Sequence, residues 1–106
     1  MDAQFKKGLL DACVLSVLSK EESYGYKIIS DLKDIIEISE STLYPILKRL
    51  EAGGFLTTFT RQYGGRLRKY YAITRSGRHK LVDCEEDWRE MRGVYQKIFE
   101  DENIFK

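Results

Sequence analysis

The stretch STLYPILKRLEAGGFL, residues 41–56, has the apolar spacing of an amphipathic helix. Its branched apolar residues recur three and four positions apart, and this spacing places them on one helical face: Leu43, Ile46, Leu47 and Leu50. Gly53 and Gly54 end the pattern, as glycines commonly do after a helix. Pro45, the only proline of the chain, lies inside it, where a proline removes a backbone donor and crowds the preceding turn.

The cost of Pro45 depends on where this third helix begins. Ser39 and Ser41 are both candidate N-caps, because each hydroxyl precedes the apolar pattern. A start at Ser41 puts Pro45 near the entry turn at a small cost. A start at Ser39 predicts a kink instead. The sequence leaves both starts open.

Charge is concentrated in the middle of the chain. Residues 1–40 carry a net charge of −3 and residues 81–106 a net charge of −4. Residues 41–80 hold nine Lys and Arg against the single Glu51, a net charge of +8. A polyanion is the expected partner, because Lys and Arg displace condensed counterions from phosphates. The alternative is a solvated basic surface without a partner.

Two helical patterns precede this block. FKKGLLDACVLSVLSK, residues 5–20, has a broad apolar face and predicts a core helix. YGYKIISDLKDII, residues 24–36, predicts a shorter helix with Ile28, Ile29 and Leu32 turned inward.

A hairpin and a long helix are predicted after Gly53 and Gly54. FLTTFTRQ and RKYYAIT are β-branched and aromatic runs separated by YGGRL, a glycine turn between strand formers. Thr74 is the expected cap of a last helix from about residue 75 to about residue 99. The apolar residues of that helix are spaced 3, 4, 3, 4 and 3 apart, a seam typical of packing along a second helix: Leu81, Cys84, Trp88, Met91, Tyr95 and Ile98. We therefore expect a homodimer joined through this seam.

Three helices, a basic hairpin and a long helix predict a mainly α fold with a small β-hairpin. This is the composition of a winged helix-turn-helix, whose third helix enters the major groove of DNA. We divide the chain into a DNA-binding domain, residues 1–74, and a C-terminal dimerisation helix with its tail, residues 75–106.

Four stretches in this order resemble the PadR-type transcriptional regulators. They are GLLDACVLSVL, YGYKI, STLYPILKRLEAGGFL, and GGRLRKYYAIT followed by RSG, and together they extend from about residue 8 to residue 77. Pro45 is part of the resemblance, and the last helix is similar to the single dimerisation helix of the short-tailed branch. The resemblance implies a dimeric winged-helix DNA binder, generally a repressor released by a small ligand.

The candidate DNA contacts lie on the third helix and the hairpin. They are basic or hydroxyl-bearing residues suited to phosphates and base edges: Ser41, Thr42, Tyr44, Lys48, Arg49, Arg66, Arg68 and Lys69. The alternatives are that Ser41 only caps the helix, that Tyr44 packs in the core, and that the hairpin residues only keep an exposed edge soluble. A winged helix can also bind RNA or a protein, although basic residues on both elements favour double-stranded DNA. The expected homodimer should recognise an inverted-repeat operator.

Trp88 is the candidate ligand-binding residue, together with Met91. It is the only tryptophan and lies in the middle of the seam, so two copies could sandwich a flat aromatic inducer across a twofold axis. The resemblance to multidrug-sensing members favours this interpretation, and nearby Glu85, Asp87 and Glu90 could attract a cation. The alternative is plain packing between two protomers.

Other classes of protein fit the sequence poorly. The single histidine, His79, and the two separated cysteines have no zinc spacing, and Gly64-Gly65 belongs to a hairpin rather than a phosphate loop. We therefore expect no catalysis, metal or cofactor. No apolar run has the length of a membrane span, so the expected location is the cytoplasm.

Overall fold

The computed structural model describes residues 1–100. Its elements follow the predicted order: α1 Ala3–Lys20, α2 Gly25–Leu32, α3 Glu40–Ala52, β1 Leu56–Tyr63, β2 Arg66–Ile73 and α4 Arg75–Phe99. The predicted fold class, mainly helical with one antiparallel hairpin and a long C-terminal helix, is confirmed. Residues 101–106, which end the predicted second domain, lie outside the described part.

The core forms where α1, α2 and α3 meet. Its fully buried side chains are aliphatic and come from all three helices: Val14, Leu15, Leu18, Ile28, Leu32, Leu43, Leu47 and Leu50. The four residues that define the apolar face of α3 are all buried, as the spacing predicted. The opposite side of α3 is therefore left for the solvent or a partner.

The earlier of the two possible starts of α3 is the one observed. The hydroxyl of Ser39 accepts a hydrogen bond from the Thr42 amide at 3.3 Å, and the helix begins at Glu40. It continues through Pro45 to Ala52. The bond that Pro45 cannot donate would have reached the carbonyl of Ser41, and both residues are exposed. Solvent can satisfy that carbonyl, which removes one of the two costs of a proline inside a helix.

Turn chemistry sets the register of the hairpin. Gly64 and Gly65 have φ of 58° and 81°, and such left-handed values form the tight two-residue turn that suits twisted strands. Tyr63 therefore pairs with Arg66, and the ladder runs back to the pair Leu56 with Ile73. Since residues alternate across a strand, one face of the hairpin carries Leu56, Ile73 and the buried Tyr71 onto the helices.

The start of α4 is docked onto the turn that follows α3. The Thr74 hydroxyl accepts from the Gly77 amide at 3.1 Å, which confirms it as the cap, and donates to the Gly54 carbonyl at 2.7 Å. Gly77 is buried, and a Cβ atom there would collide with the Phe55 carbonyl oxygen. The first turns of α4 pack against α1, and the rest extends beyond the core in a molecule measuring 63 × 26 × 22 Å.

None of the helices within residues 1–100 combines the length and the apolar character that crossing a membrane requires.

Candidate nucleic-acid interface and effector groove

A polar stripe runs along the exposed side of α3. Ser41, Tyr44, Pro45 and Lys48 are all exposed and are spaced as neighbours on one helical face. Tyr44 is 45% exposed, so the alternative of a core tyrosine is excluded. We call these four residues the α3 stripe.

Thr42 and Ser41 contribute hydroxyls beside the cap of α3. The Ser39 hydroxyl lies 2.9 Å from that of Ser41 and 3.2 Å from that of Thr42. Ser41 is exposed and Thr42 is half-buried. The first turn of α3 therefore presents a small hydroxyl cluster rather than isolated side chains.

Arg49, one of the predicted DNA contacts, is engaged in an ion pair within the fold. Arg49 turns away from the α3 stripe and forms an ion pair with Asp11 of α1. Asp11 is a charged residue that is only 8% exposed, and a buried carboxylate is costly unless it is paired. Arg49 therefore joins α3 to α1, and it does not belong to the α3 stripe.

The hairpin holds its basic residues in three different ways. Arg66 is exposed beside the turn. The guanidinium of Arg68 lies between two rings, 3.9 Å from the centroid of Tyr24 and 3.8 Å from that of Tyr63. Lys69 is on the opposite face, 3.9 Å from a carboxylate oxygen of Glu51. A guanidinium held between aromatic faces can still donate hydrogen bonds from its edge, so the half-buried Arg68 remains suited to bind a phosphate.

The hairpin is tied to the α1–α2 connection, which the sequence did not indicate. Ser23 and Tyr71 exchange backbone hydrogen bonds of 3.0 and 2.7 Å, which form a single antiparallel bridge at the base of the hairpin. Arg61 forms an ion pair with Glu22 at 2.9 Å. The ring of Tyr24, which contacts the guanidinium of Arg68, also contacts the ring of Tyr70 edge-on, with the two ring centroids 5.5 Å apart. The wing is therefore held at a defined position relative to α3.

An apolar groove of about 770 Å³ separates α1 from α4. Phe5, Leu9 and Cys13 line it from α1, and Trp88 and Met91 line it from α4. Phe5, at the start of the apolar pattern that predicted a core helix, is exposed rather than packed in the core. The two predicted ligand residues thus lie on one wall of the same groove.

The charges around Trp88 are more balanced than the sequence suggested. Glu85 lines the groove, but it forms an ion pair with Arg89 at 2.5 Å, and Arg92 lies on the same wall. Asp87 lines a different cavity, on the other side of α4. This arrangement favours a neutral aromatic molecule over a cation.

Both cysteines also line the groove. Burial raises the pKa of the Cys13 thiol, and the charge of a Cys84 thiolate raises it further. Burial is likewise the main cause that raises the pKa of Cys84, although this residue is only half-buried. Both thiols are therefore protonated at neutral pH. Within residues 1–100, no group of three or more potential His, Cys, Asp or Glu ligands comes together.

The predicted seam is an apolar stripe with little cover beyond its first turns. Leu81 packs against the core, and Cys84 and Trp88 are half-buried. Met91, Tyr95 and Ile98 are exposed, Tyr95 to 56%. A stripe of this length on a projecting helix is typical of an interface.

Comparison with known proteins agrees with the helix, wing and long-helix arrangement. Residues 14–83 match the model of the transcriptional regulator PadR-like family. The chain belongs to this family. Its members are transcriptional regulators rather than enzymes, and the PadR resemblance seen in the sequence is confirmed.

Individual PadR-like proteins are similar over most of the chain. A transcriptional regulator of Mycobacterium tuberculosis is 33% identical over 85% of this chain and 89% of its own length. A Streptococcus mutans protein of known structure is 43% identical and superimposes with a TM-score of 0.80 over 90% of both chains. Bacillus subtilis PadR, solved in complex with operator DNA, is 35% identical with a TM-score of 0.66, over 71% of this chain and 44% of its own.

Proposed function

We propose that this PadR-like protein is a sequence-specific DNA-binding regulator that uses the α3 stripe and the wing. The observation that carries the proposal is the exposed stripe Ser41, Tyr44, Pro45 and Lys48 beside a wing with Arg66 and the stacked Arg68. The stripe fits a major groove and the basic wing fits the adjacent backbone. The operator complex of Bacillus subtilis PadR supports this assignment.

The active form proposed is a homodimer joined by the α4 seam. Burial of Met91, Tyr95 and Ile98 against a second copy would remove a long apolar stripe from water. Twofold symmetry would present two α3 stripes, so the operator should be an inverted repeat with half-sites about one helical turn, or a multiple of it, apart. In this division residues 1–74 bind DNA and residues 75–106 dimerise.

The groove beside Trp88 is the proposed effector site. A flat aromatic molecule would stack on Trp88 and contact the adaptable side chain of Met91. The dimer interface would lie on α4, whereas α1 packs in the core of each protomer. A ligand between α1 and α4 would therefore change the separation of the two α3 stripes. A ligand that prefers this arrangement would release DNA. Repression relieved by such a ligand is the proposed mode of action, and the name of Bacillus subtilis PadR as a negative regulator supports it. A regulator of this kind would act in the cytoplasm.

The test replaces one charge on the α3 stripe. Lys48→Gln should weaken binding to a labelled duplex from the region upstream of the protein's own gene, since it removes one cation from the surface facing DNA. Lys97→Gln, an exposed lysine of α4, is the matched control and should bind like the wild type. Fluorescence anisotropy measures both. Equal loss in the two variants would show that net charge alone matters and would contradict a role for the stripe.

A further inference from the structure

A second polar cleft, of about 490 Å³, opens between the wing and the beginnings of α2 and α3. Tyrosines from α2, α3 and β2 line it together with Arg68 and Lys69. No carboxylate is among the lining residues in the described part of the chain. Tyr44 belongs both to this cleft and to the α3 stripe, so an occupant of the cleft would also border the surface proposed to face DNA.

Gly25 creates the space for Tyr44 in the cleft. Gly25 is buried at the start of α2, and a Cβ atom there would lie 2.5 Å from the Tyr44 hydroxyl oxygen and 3.0 Å from its Cζ. Its φ is not left-handed, so conformational freedom is not the reason for glycine at this position. Glycine is needed because the phenol of Tyr44 packs against the α2 backbone, which fixes where the hydroxyl lies.

Two cations, Arg68 and Lys69, line the cleft together with that hydroxyl. Of these two, only Lys69 has a carboxylate of residues 1–100 within 4 Å. The Lys69 ammonium is 3.9 Å from Glu51, beyond hydrogen-bond distance, while Glu51 accepts a hydrogen bond from Thr58 at 2.9 Å. Arg68 is held by aromatic faces and not by a carboxylate. The cleft therefore offers a hydroxyl donor and positive charge at one place.

We propose that this cleft binds one phosphate of the DNA backbone, held by the Tyr44 hydroxyl and Lys69, with Gly25 as the positioning residue. The inference rests on the DNA binding proposed above and adds a subsite to it. A phosphodiester accepts hydrogen bonds from both groups and carries the charge that the cleft lacks. Contacts of this kind carry no sequence information but fix the register of a recognition helix on the duplex.

The contact variants are Tyr44→Phe and Lys69→Gln, measured by anisotropy on a labelled duplex over a series of KCl concentrations. Tyr44→Phe should weaken binding roughly tenfold, because it removes a hydrogen bond to a charged group. It should leave the salt slope unchanged, because no charge is removed. Lys69→Gln should lower the slope by roughly one unit for each phosphate that is no longer neutralised. Ser30→Ala removes an exposed hydroxyl of α2 that does not line the cleft, and it is the control.

The positioning role has its own pair of variants. Gly25→Ala should lower both the melting temperature and the DNA affinity, because the new methyl group displaces Tyr44. Gly25→Ala combined with Tyr44→Phe removes the closest oxygen, so part of the stability should return while the affinity stays low. Gly8→Ala is the control, since a Cβ atom at that exposed helical position meets nothing within 4 Å and should not destabilise the fold.

The outcomes separate this inference from the proposed function. The phosphate subsite would be overturned if the wild type binds with a steep salt slope and the Tyr44→Phe and Lys69→Gln variants bind like Ser30→Ala. DNA binding itself would remain supported by that result. Failure of the wild type to bind any duplex would contradict the proposed function and the subsite with it.

Discussion

Arg49 and Lys48 are neighbours in sequence with different surroundings in the fold. Successive residues of a helix point about 100° apart. Lys48 therefore lies on the α3 stripe, whereas Arg49 reaches Asp11 on α1. The pattern of α3 alone predicted that both would be outside the apolar face. It could not indicate that a carboxylate 38 positions earlier would be buried beside one of them.

The Asp11–Arg49 pair gives a prediction for stability. Arg49→Ala should lower the free energy of unfolding by about 2 kcal/mol, because Asp11 would keep a buried charge without its partner. Lys48→Gln should change it by less than about 0.5 kcal/mol, since Lys48 is exposed. Urea denaturation followed by circular dichroism measures both.

The same variants test whether Arg49 contacts DNA. Arg49→Ala, measured at a temperature where it is folded, should retain the salt slope of DNA binding. A slope reduced by one unit with unchanged stability would mean that Arg49 contacts phosphate after all. Asp11→Asn combined with Arg49→Ala should recover part of the stability, since the uncompensated charge is then absent.

At the scale of elements, local chemistry determined what could be predicted. The Gly64–Gly65 turn, the Thr74 cap and the apolar faces of α1 to α3 each depend on residues close in sequence. The structure agrees with these predictions except at Phe5, which is exposed. The start of α3 was ambiguous because Ser39 and Ser41 are equivalent caps on local grounds. The anchoring of the wing on residues 22–24 depends on contacts between distant parts of the chain, so no local pattern predicted it.

The seam of α4 gives a prediction about assembly. Ile98→Glu should weaken or abolish the dimer, because it would place a carboxylate within the proposed apolar interface. Gln96→Glu adds the same charge to the same helix outside the seam and should leave the dimer unchanged. Sedimentation velocity compares the mass of each variant with that of the 12.4 kDa chain. A wild type that remains monomeric at micromolar concentration would contradict the seam as an interface.

At the scale of the whole molecule, α1 belongs to both proposed functional regions. One flank of α1 lines the groove through Leu9 and Cys13, and Asp11 on the same helix holds Arg49 of α3. The first turns of α4 pack on α1 as well. The division at residue 74 therefore describes proposed roles, and the packing is continuous across it. This continuity is what could connect the groove to the α3 stripe, and it is visible only in three dimensions.

The groove gives a prediction about effector binding. Unsubstituted acridine, which is planar and neutral in an assay at slightly alkaline pH, should quench the fluorescence of Trp88, the only tryptophan of the chain. Trp88→Ala should abolish binding, measured by the anisotropy of the dye, and should leave DNA affinity largely intact. Val82→Ala, at an exposed α4 position outside the groove lining, is the control. A Trp88→Ala variant that fails to dimerise would assign Trp88 to packing and contradict the effector site.

The salt dependence of DNA binding tests the central claim most directly. The dissociation constant of the wild-type protein for a duplex from upstream of its own gene should rise steeply with KCl concentration, because two α3 stripes and two wings release counterions together. The logarithmic plot should be linear, with a slope of roughly one unit per phosphate bound. Binding that does not change with salt, or the absence of binding at low salt, would contradict DNA recognition by this surface.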